Sequence, residues 1–329
     1  MTVTSRAGGL LEIDLGGIVA NWRALAARAA PAMCAAVVKA NAYGLGAAPA
    51  GRALAAAGCA LFFVATLDEG IALRRALARD RPLPERLPAP SAPHPNPLPA
   101  RGEREHKGTP LPACGEREGP AAMPREGEGL PEAAHIAVLN GPLPDSAREF
   151  VEHRLIPVLN EPGQIAEWRG MARRHGRLAA MLQVDTGMAR LGLTPREFER
   201  HAETLHGDAA FLWRGLLSHL ACADTPAHPL NEAQRQRFGA ASARFPGVPG
   251  SLAASSGIFL GPAFHHDLVR PGAALYGVNP QPGRPNPMRQ VVRLSGKILQ
   301  IREIDRGEPV GYGAAHVMAG PGRLATVAI

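Results

Sequence analysis

The sequence has few aromatic residues, 5% of its 329, and almost no lysine: only Lys39, Lys107 and Lys297. No apolar run approaches the about 18 residues that a membrane span requires, which excludes a membrane protein. The four cysteines, Cys34, Cys59, Cys114 and Cys222, show no C-x-x-C or other metal-ligand spacing. That excludes a disulfide scaffold and gives no metal site, so the thiols are expected to be reduced core residues. The first residues lack a basic patch followed by an apolar stretch, so no secretory signal is read there and a cytoplasmic location is expected. The formal net charge is +7, but its basic residues are dispersed along the chain, and no nucleic-acid partner is expected. What is abundant is apolar side chain: 46% hydrophobic against 20% charged residues describes a globular chain able to bury a sizeable core.

Eight short apolar or β-branched runs punctuate the sequence: 34–39, 61–65, 135–139, 156–159, 177–184, 211–219, 251–255 and 267–270. Ala/Leu/Arg segments of helical period separate them, such as LDEGIALRRALAR, in the pattern of parallel strands joined by crossover helices. Eight such units predict an α/β protein built as a (β/α)8 barrel over residues 1–285. A doubly wound open sheet is the other architecture that the alternation allows.

Two stretches break the pattern. Thirteen prolines lie between Pro82 and Pro131, a density that forbids helix or central strand, so residues 80–132 are expected to be a disordered insertion. Within it PLPARGERE (97–105) recurs as PLPACGERE (110–118), which marks a duplication. The insertion falls between the second helix and third strand of the barrel, on the expected bottom face. The second break is QPGRPNP (281–287). From residue 286 the runs VVRLSGKILQIREI and RLATVAI alternate like strands of an antiparallel domain, expected to be incomplete because the chain stops at Ile329 within an apparent strand.

One lysine stands out on position alone. In CAAVVKANAYGLG an apolar strand gives way at Lys39 to a loop containing Tyr43 and two glycines, at the C-terminal mouth of the first barrel strand. Barrel enzymes carry their chemistry there, and a partly desolvated lysine amine can attack an aldehyde to form a Schiff base.

These residues also carry a family resemblance. VVKANAYGLG resembles the pyridoxal-phosphate lysine motif of the alanine racemases, the fold-type III barrel enzymes. LEIDLGGIVANWRAL, QVDTGMARLG (183–192), LLSHLACAD (216–224), ASSG (254–257), DLVRPGAALYG (267–277) and EPVGYGAAH (308–316) follow in the family's order. The resemblance implies that Lys39 holds pyridoxal 5'-phosphate covalently and serves as one base, while Tyr43 contacts the cofactor's phosphate. It implies that His219 packs against the pyridine ring, and that Ser256, Gly272 and Ala273 cradle the phosphate through hydroxyl and backbone N–H groups. Arg270 is directed at the pyridine nitrogen, which an all-donor guanidinium holds unprotonated. Arg190 binds the substrate carboxylate with its forked donors. Tyr312 is the second base, acting on the site of the other subunit of a homodimer.

The implied activity is racemisation of L-alanine to D-alanine, an isomerase reaction that feeds peptidoglycan synthesis. One position departs from the common family pattern: Gln183 stands where many relatives have a lysine whose carbamate orients the arginine, and its amide is expected to hydrogen-bond Arg190 instead. The competing readings are a broad-specificity racemase, another fold-type III enzyme, and a truncated cofactor-binding barrel with little turnover.

Overall fold

A computed structural model describes residues 6–78 and 134–328. The chain opens with strand β1 (Gly9–Ile13) and helix α1 (Leu15–Ala29), whose first turn is capped by the Asp14 carboxylate accepting from the Gly17 amide. β2 (Met33–Cys34) and β3 (Ala36–Val37) are one barrel stave interrupted at Ala35. There follow α2 (Ala47–Ala56), β4 (Leu61–Val64), α3 (Leu67–Leu77), β5 (His135–Val138), α4 (Ala147–Glu152) and β6 (Ile156–Leu159). Then come α5 (Pro162–His175), β7 (Leu178–Gln183), α6 (Pro195–His206), β8 (Phe211–Leu217), α7 (Pro229–Ala243), β9 (Gly250–Ser251) and β10 (Leu268–Val269).

Every strand from β3 to β9 pairs in parallel with the next. The ring closes through β10. Its neighbour β9 is joined by the Asp267 amide to the Gly250 carbonyl at 3.0 Å and the Arg270 amide to the Ala253 carbonyl at 2.9 Å, and β10 pairs in parallel with β2. The expected (β/α)8 barrel is therefore the observed one, and the eight runs read from the sequence are its staves. Because both faces of such strands are covered, they read as continuous apolar runs: LFFV and IPVL are buried at every residue.

Alternate side chains still go to different places. Leu61, Phe63, Ile156, Val158, Met181 and Leu217 form a cluster without any helix residue, the filling of the barrel, whereas Phe62, Val64, Leu159 and Leu182 pack outward with the helices. The helices start on strong signals. α3 and α6 carry reciprocal capping boxes, Thr66 with Glu69 and Thr194 with Glu197, while α5, α6 and α7 place proline in the first turn.

After the barrel come β11 (Val292–Ile304), β12 (Pro309–Val310), β13 (His316–Val317) and β14 (Gly322–Ala328). β11 pairs antiparallel with β14, as the alternating pattern predicts, and also with β1. Residues 9–13 were assigned above to the barrel with the rest of 1–285. Their amides and carbonyls instead meet those of 292–296, so this sheet takes one edge from the start of the chain. Asn21 of α1 stitches the junction: its amide nitrogen donates to the carbonyls of Leu275 and Arg289, and its oxygen accepts from the Arg289 amide at 2.7 Å. The proline-rich insertion expected over 80–132, with Lys107 and Cys114, lies outside the described residues.

Candidate active site at the barrel mouth

The C-terminal ends of the barrel strands surround a cavity of about 570 Å³. Lys39 reaches it from the end of β3 on a short left-handed turn, Lys39–Tyr43, in which Ala40, Asn41, Ala42 and Tyr43 all have φ between +51° and +57°. None is glycine, and each such residue costs about 1–2 kcal/mol relative to the right-handed form. The turn is bonded internally by the Gly44 amide to the Ala40 carbonyl and the Gly46 amide to the Asn41 carbonyl, both at 2.8 Å. The Asn41 side chain accepts from the Ala47 amide at the start of α2. This conformation aims both Lys39 and Tyr43 at the cavity.

The Tyr43 ring lies 5.0 Å from that of Tyr276, whose hydroxyl donates to the Val37 carbonyl. A Cβ at Gly272 would run into the Tyr43 hydroxyl, so this close approach requires glycine.

Arg190 comes from the loop after β7. Asp185 organises that loop by accepting from the amides of Gly187, Met188 and Ala189, and the loop returns to the strand through the Leu193 amide donating to the Gln183 carbonyl. Gly192 sits at φ +106° against the backbone of Val184 and Asp185, where a side chain has no room. Gln183 lines the cavity, but its amide nitrogen donates to the Leu191 carbonyl at 3.1 Å, and the expected bond to Arg190 is not among those of the described residues. The reason is geometric: the chain folds back at Gly192 and brings the Leu191 carbonyl over the end of β7, so Gln183 holds the loop and leaves the guanidinium to the cavity.

His219 ends β8 and Arg270 ends β10. Arg270 is buried, with one terminal nitrogen donating to the Ser251 hydroxyl and the other to the Ser218 carbonyl at 2.6 Å. Burial brings its pKa down to about 10. His219 is held down to about 3, chiefly by burial and then by the positive charges of Arg270, Arg190 and Lys39, so its ring is neutral. Lys39 is also lowered, by burial and by Arg190, with Glu69 acting in the opposite direction.

Ser256, Gly272 and Ala273 line the cavity beside them. Here the sequence reading missed a neighbour. The hydroxyl that joins the two loops is that of Ser255, which accepts from the Gly272 amide at 3.0 Å and the Ala274 amide at 3.1 Å. In ASSG the two serines are indistinguishable by type. Gln234, fully buried on α7, was also missed: it accepts from the Ala221 amide and donates to the His219 carbonyl and the Thr186 hydroxyl, bracing two of the rim loops.

Eight of the nine residues expected in the site thus converge on one cavity: Lys39, Tyr43, Arg190, His219, Ser256, Arg270, Gly272 and Ala273. Tyr312 does not. It lies in a turn, Tyr312–Ala314, between β12 and β13, is fully exposed, and is absent from the cavity wall. Three cationic side chains, Lys39, Arg190 and Arg270, face one acid on that wall, Asp224, and the arrangement suits an anionic ligand. Among the described residues no group of His, Cys, Asp and Glu could hold a metal ion, and no helix is long and apolar enough to cross a membrane.

Comparison with known proteins agrees with the fold. The model of the family described as "Alanine racemase, N-terminal domain" matches residues 13–89 and 117–280, its gap falling in the proline-rich stretch. An alanine racemase of Rhodospirillum rubrum is 45% identical over 326 residues, covering 98% of this chain and 73% of its own. A protein of Mesorhizobium japonicum named "Alanine racemase, catabolic" is 44% identical over 326 residues, covering 98% and 71%. The crystal structure of alanine racemase from Bartonella henselae with covalently bound pyridoxal phosphate is 34% identical, with a TM-score of 0.76 over 98% of this chain and 75% of that one.

Proposed function

The chain belongs to the alanine racemase family, and we propose that it interconverts L- and D-alanine by a two-base mechanism, with pyridoxal phosphate attached to Lys39. The observation that carries this reading is the convergence of Lys39, Arg190, His219 and Arg270 on one cavity. The residues present fit the cofactor. The cavity has the size of a cofactor site. The Gly272 and Ala274 amides are spent on the Ser255 hydroxyl, which joins the two loops, and the hydroxyls of Tyr43 and Ser256 on the cavity wall are donors suited to a phosphate.

When bound, pyridoxal phosphate supplies an electron-withdrawing ring that stabilises negative charge on the α-carbon of an attached amino acid. The protein supplies the rest. Lys39, with its pKa lowered by burial and Arg190, has more of its amine neutral near pH 7 and can take or return the α-proton on one face. Arg190 presents forked donors to the substrate carboxylate. Arg270, a donor only, would hold an unprotonated ring nitrogen, and neutral His219 on the same wall would add no charge beside the ring.

Inversion needs a second proton carrier on the opposite face, and one base would regenerate the same enantiomer. Tyr312 is assigned that role from a second copy of the chain in a homodimer, consistent with its full exposure on its own subunit.

The test is conversion of L-alanine by the full chain with added pyridoxal phosphate, with D-alanine followed by chiral chromatography. Lys39→Ala is expected to lower the rate at least about a thousandfold; a variant that racemises like the wild type sinks the reading. We further propose that the D-alanine serves peptidoglycan synthesis. The name of the Mesorhizobium relative favours a second reading, D-alanine consumption. A deletion strain that needs D-alanine to grow supports supply, and one that grows without it but cannot use D-alanine as a carbon source supports consumption.

A further inference from the structure

We propose that Glu69 is a positioning residue for Lys39: its carboxylate clamps the left-handed turn that carries Lys39 and Tyr43 to the end of the neighbouring strand. The proposal rests on the reading of Lys39 as the cofactor lysine.

The turn needs a clamp because four successive non-glycine residues hold positive φ. Its backbone bonds hold the turn to itself and, from the Ala42 amide to the Val38 carbonyl at 2.8 Å, to its own stave, and among the described residues none reaches the neighbouring one. Among the described residues, the one side chain from outside residues 39–47 that hydrogen-bonds its backbone is Glu69, whose Oε1 accepts from the Ala40 amide at 2.6 Å. The other oxygen, Oε2, accepts from the Ala65 amide at 2.8 Å. Ala65 lines the cavity at the end of β4. One carboxylate therefore ties two adjacent strand mouths together.

Glu69 is itself fixed, as the third residue of α3, by its own amide donating to the Thr66 hydroxyl. A glutamate in such a capping box ordinarily spends its carboxylate on its own helix start. Here half of it is spent on the neighbouring stave.

The same carboxylate is the negative charge acting on the Lys39 amine. Facing that amine are Arg190 and His219 across the cavity, Tyr43 on its own turn and Glu69 from α3. Glu69→Gln keeps the shape, removes the charge and turns one acceptor into a donor that faces an N–H. Two effects follow together. The amine is less well placed, and with the charge gone it loses its proton at lower pH. A residue that only stabilised the fold would produce the first effect without the second.

The experiment follows attachment of pyridoxal phosphate to the full chain by absorbance across a pH series, with borohydride reduction and mass analysis to locate the adduct. For Glu69→Gln the limiting attachment rate is expected to fall about tenfold or more, with the midpoint of the pH profile displaced to lower pH. Asp68→Asn removes the same charge from an exposed neighbour that makes no hydrogen bond among the described residues, and is expected to change neither. If the wild-type chain forms no adduct at Lys39, the cofactor reading fails. If it does and Glu69→Gln matches it in rate and midpoint, the role of Glu69 alone is overturned.

A measurement on the wild type stands even if the variant does not fold. In a chain labelled with ¹⁵N-alanine, the Ala40 and Ala65 amides, both bonded to the Glu69 carboxylate, are expected to be protected together from exchange with deuterium. Amides that exchange at the unprotected rate overturn the clamp.

Discussion

The barrel and the sheet that follows it both contain strands with aliphatic residues, yet they dispose of them in opposite ways. In the barrel, β4 and β6 are wholly buried and the ring has no open edge. In β11, thirteen residues long, nearly every position is exposed, with Leu294, Ile298, Leu299 and Ile301 between 56% and 66% accessible. Closure makes the difference: a strand in a ring has neighbours on both edges and packing on both faces, whereas β11 has its edges paired and its faces bare. The proposed chemistry divides along the same line. Residues suited to holding a cofactor belong to the closed part, and the second base belongs to the open part.

The sharpest test of that division is Tyr312→Phe. It is expected to lower racemisation by about a hundredfold or more while leaving pyridoxal-phosphate attachment at Lys39 unchanged, as seen by absorbance. A variant that loses attachment as well would break the division. Next in size is a paired truncation read by denaturant melts. Leu217→Ala, in the barrel filling, is expected to cost about 2–5 kcal/mol, and Leu299→Ala, in the sheet, to stay within about 0.5 kcal/mol. Equal costs would mean that the sheet face is covered in solution.

The smallest effect concerns pH. His219 has a folded pKa of about 3 against an ordinary 6.5, so between those values the unfolded chain binds a proton that the folded chain does not. Stability is therefore flat above the ordinary histidine range and declines as pH falls through it. His219→Gln should make the decline in melting temperature shallower over that window.

The eight staves were legible because a strand covered on both faces reads as an unbroken apolar run, and Lys39 was legible because such a run ends at the barrel mouth, whereas the other site residues were read from the family's motifs. The left-handed turn was not. Asn41 alone among Ala40–Tyr43 tolerates positive φ by type, and local bonds with Val38 and Ala47 together with the distant one from Glu69 hold the turn. Glu69 was hidden for a related reason: T-x-x-E is a complete explanation for a helix start, and its second partner is 29 positions away. Ser255 could not be told from Ser256, since the difference lies in which hydroxyl turns toward residues 272–274. Gln183 was singled out, but its partner was misjudged, because the backward fold at Gly192 has no signature beyond a glycine. The strand period of residues 291–304 was plain, whereas its pairing with residues 9–13 had no sequence signal.

That last pairing bears on how the chain is made. β1 and the β2 stave leave the ribosome first, yet their partners are residues 292–296 and 268–269. Loop closure over such separations comes late, after the local units between them have formed. Early strands of the nascent chain therefore wait for much later ones, and a ribosome stalled before residue 268 holds a barrel whose seam is still open.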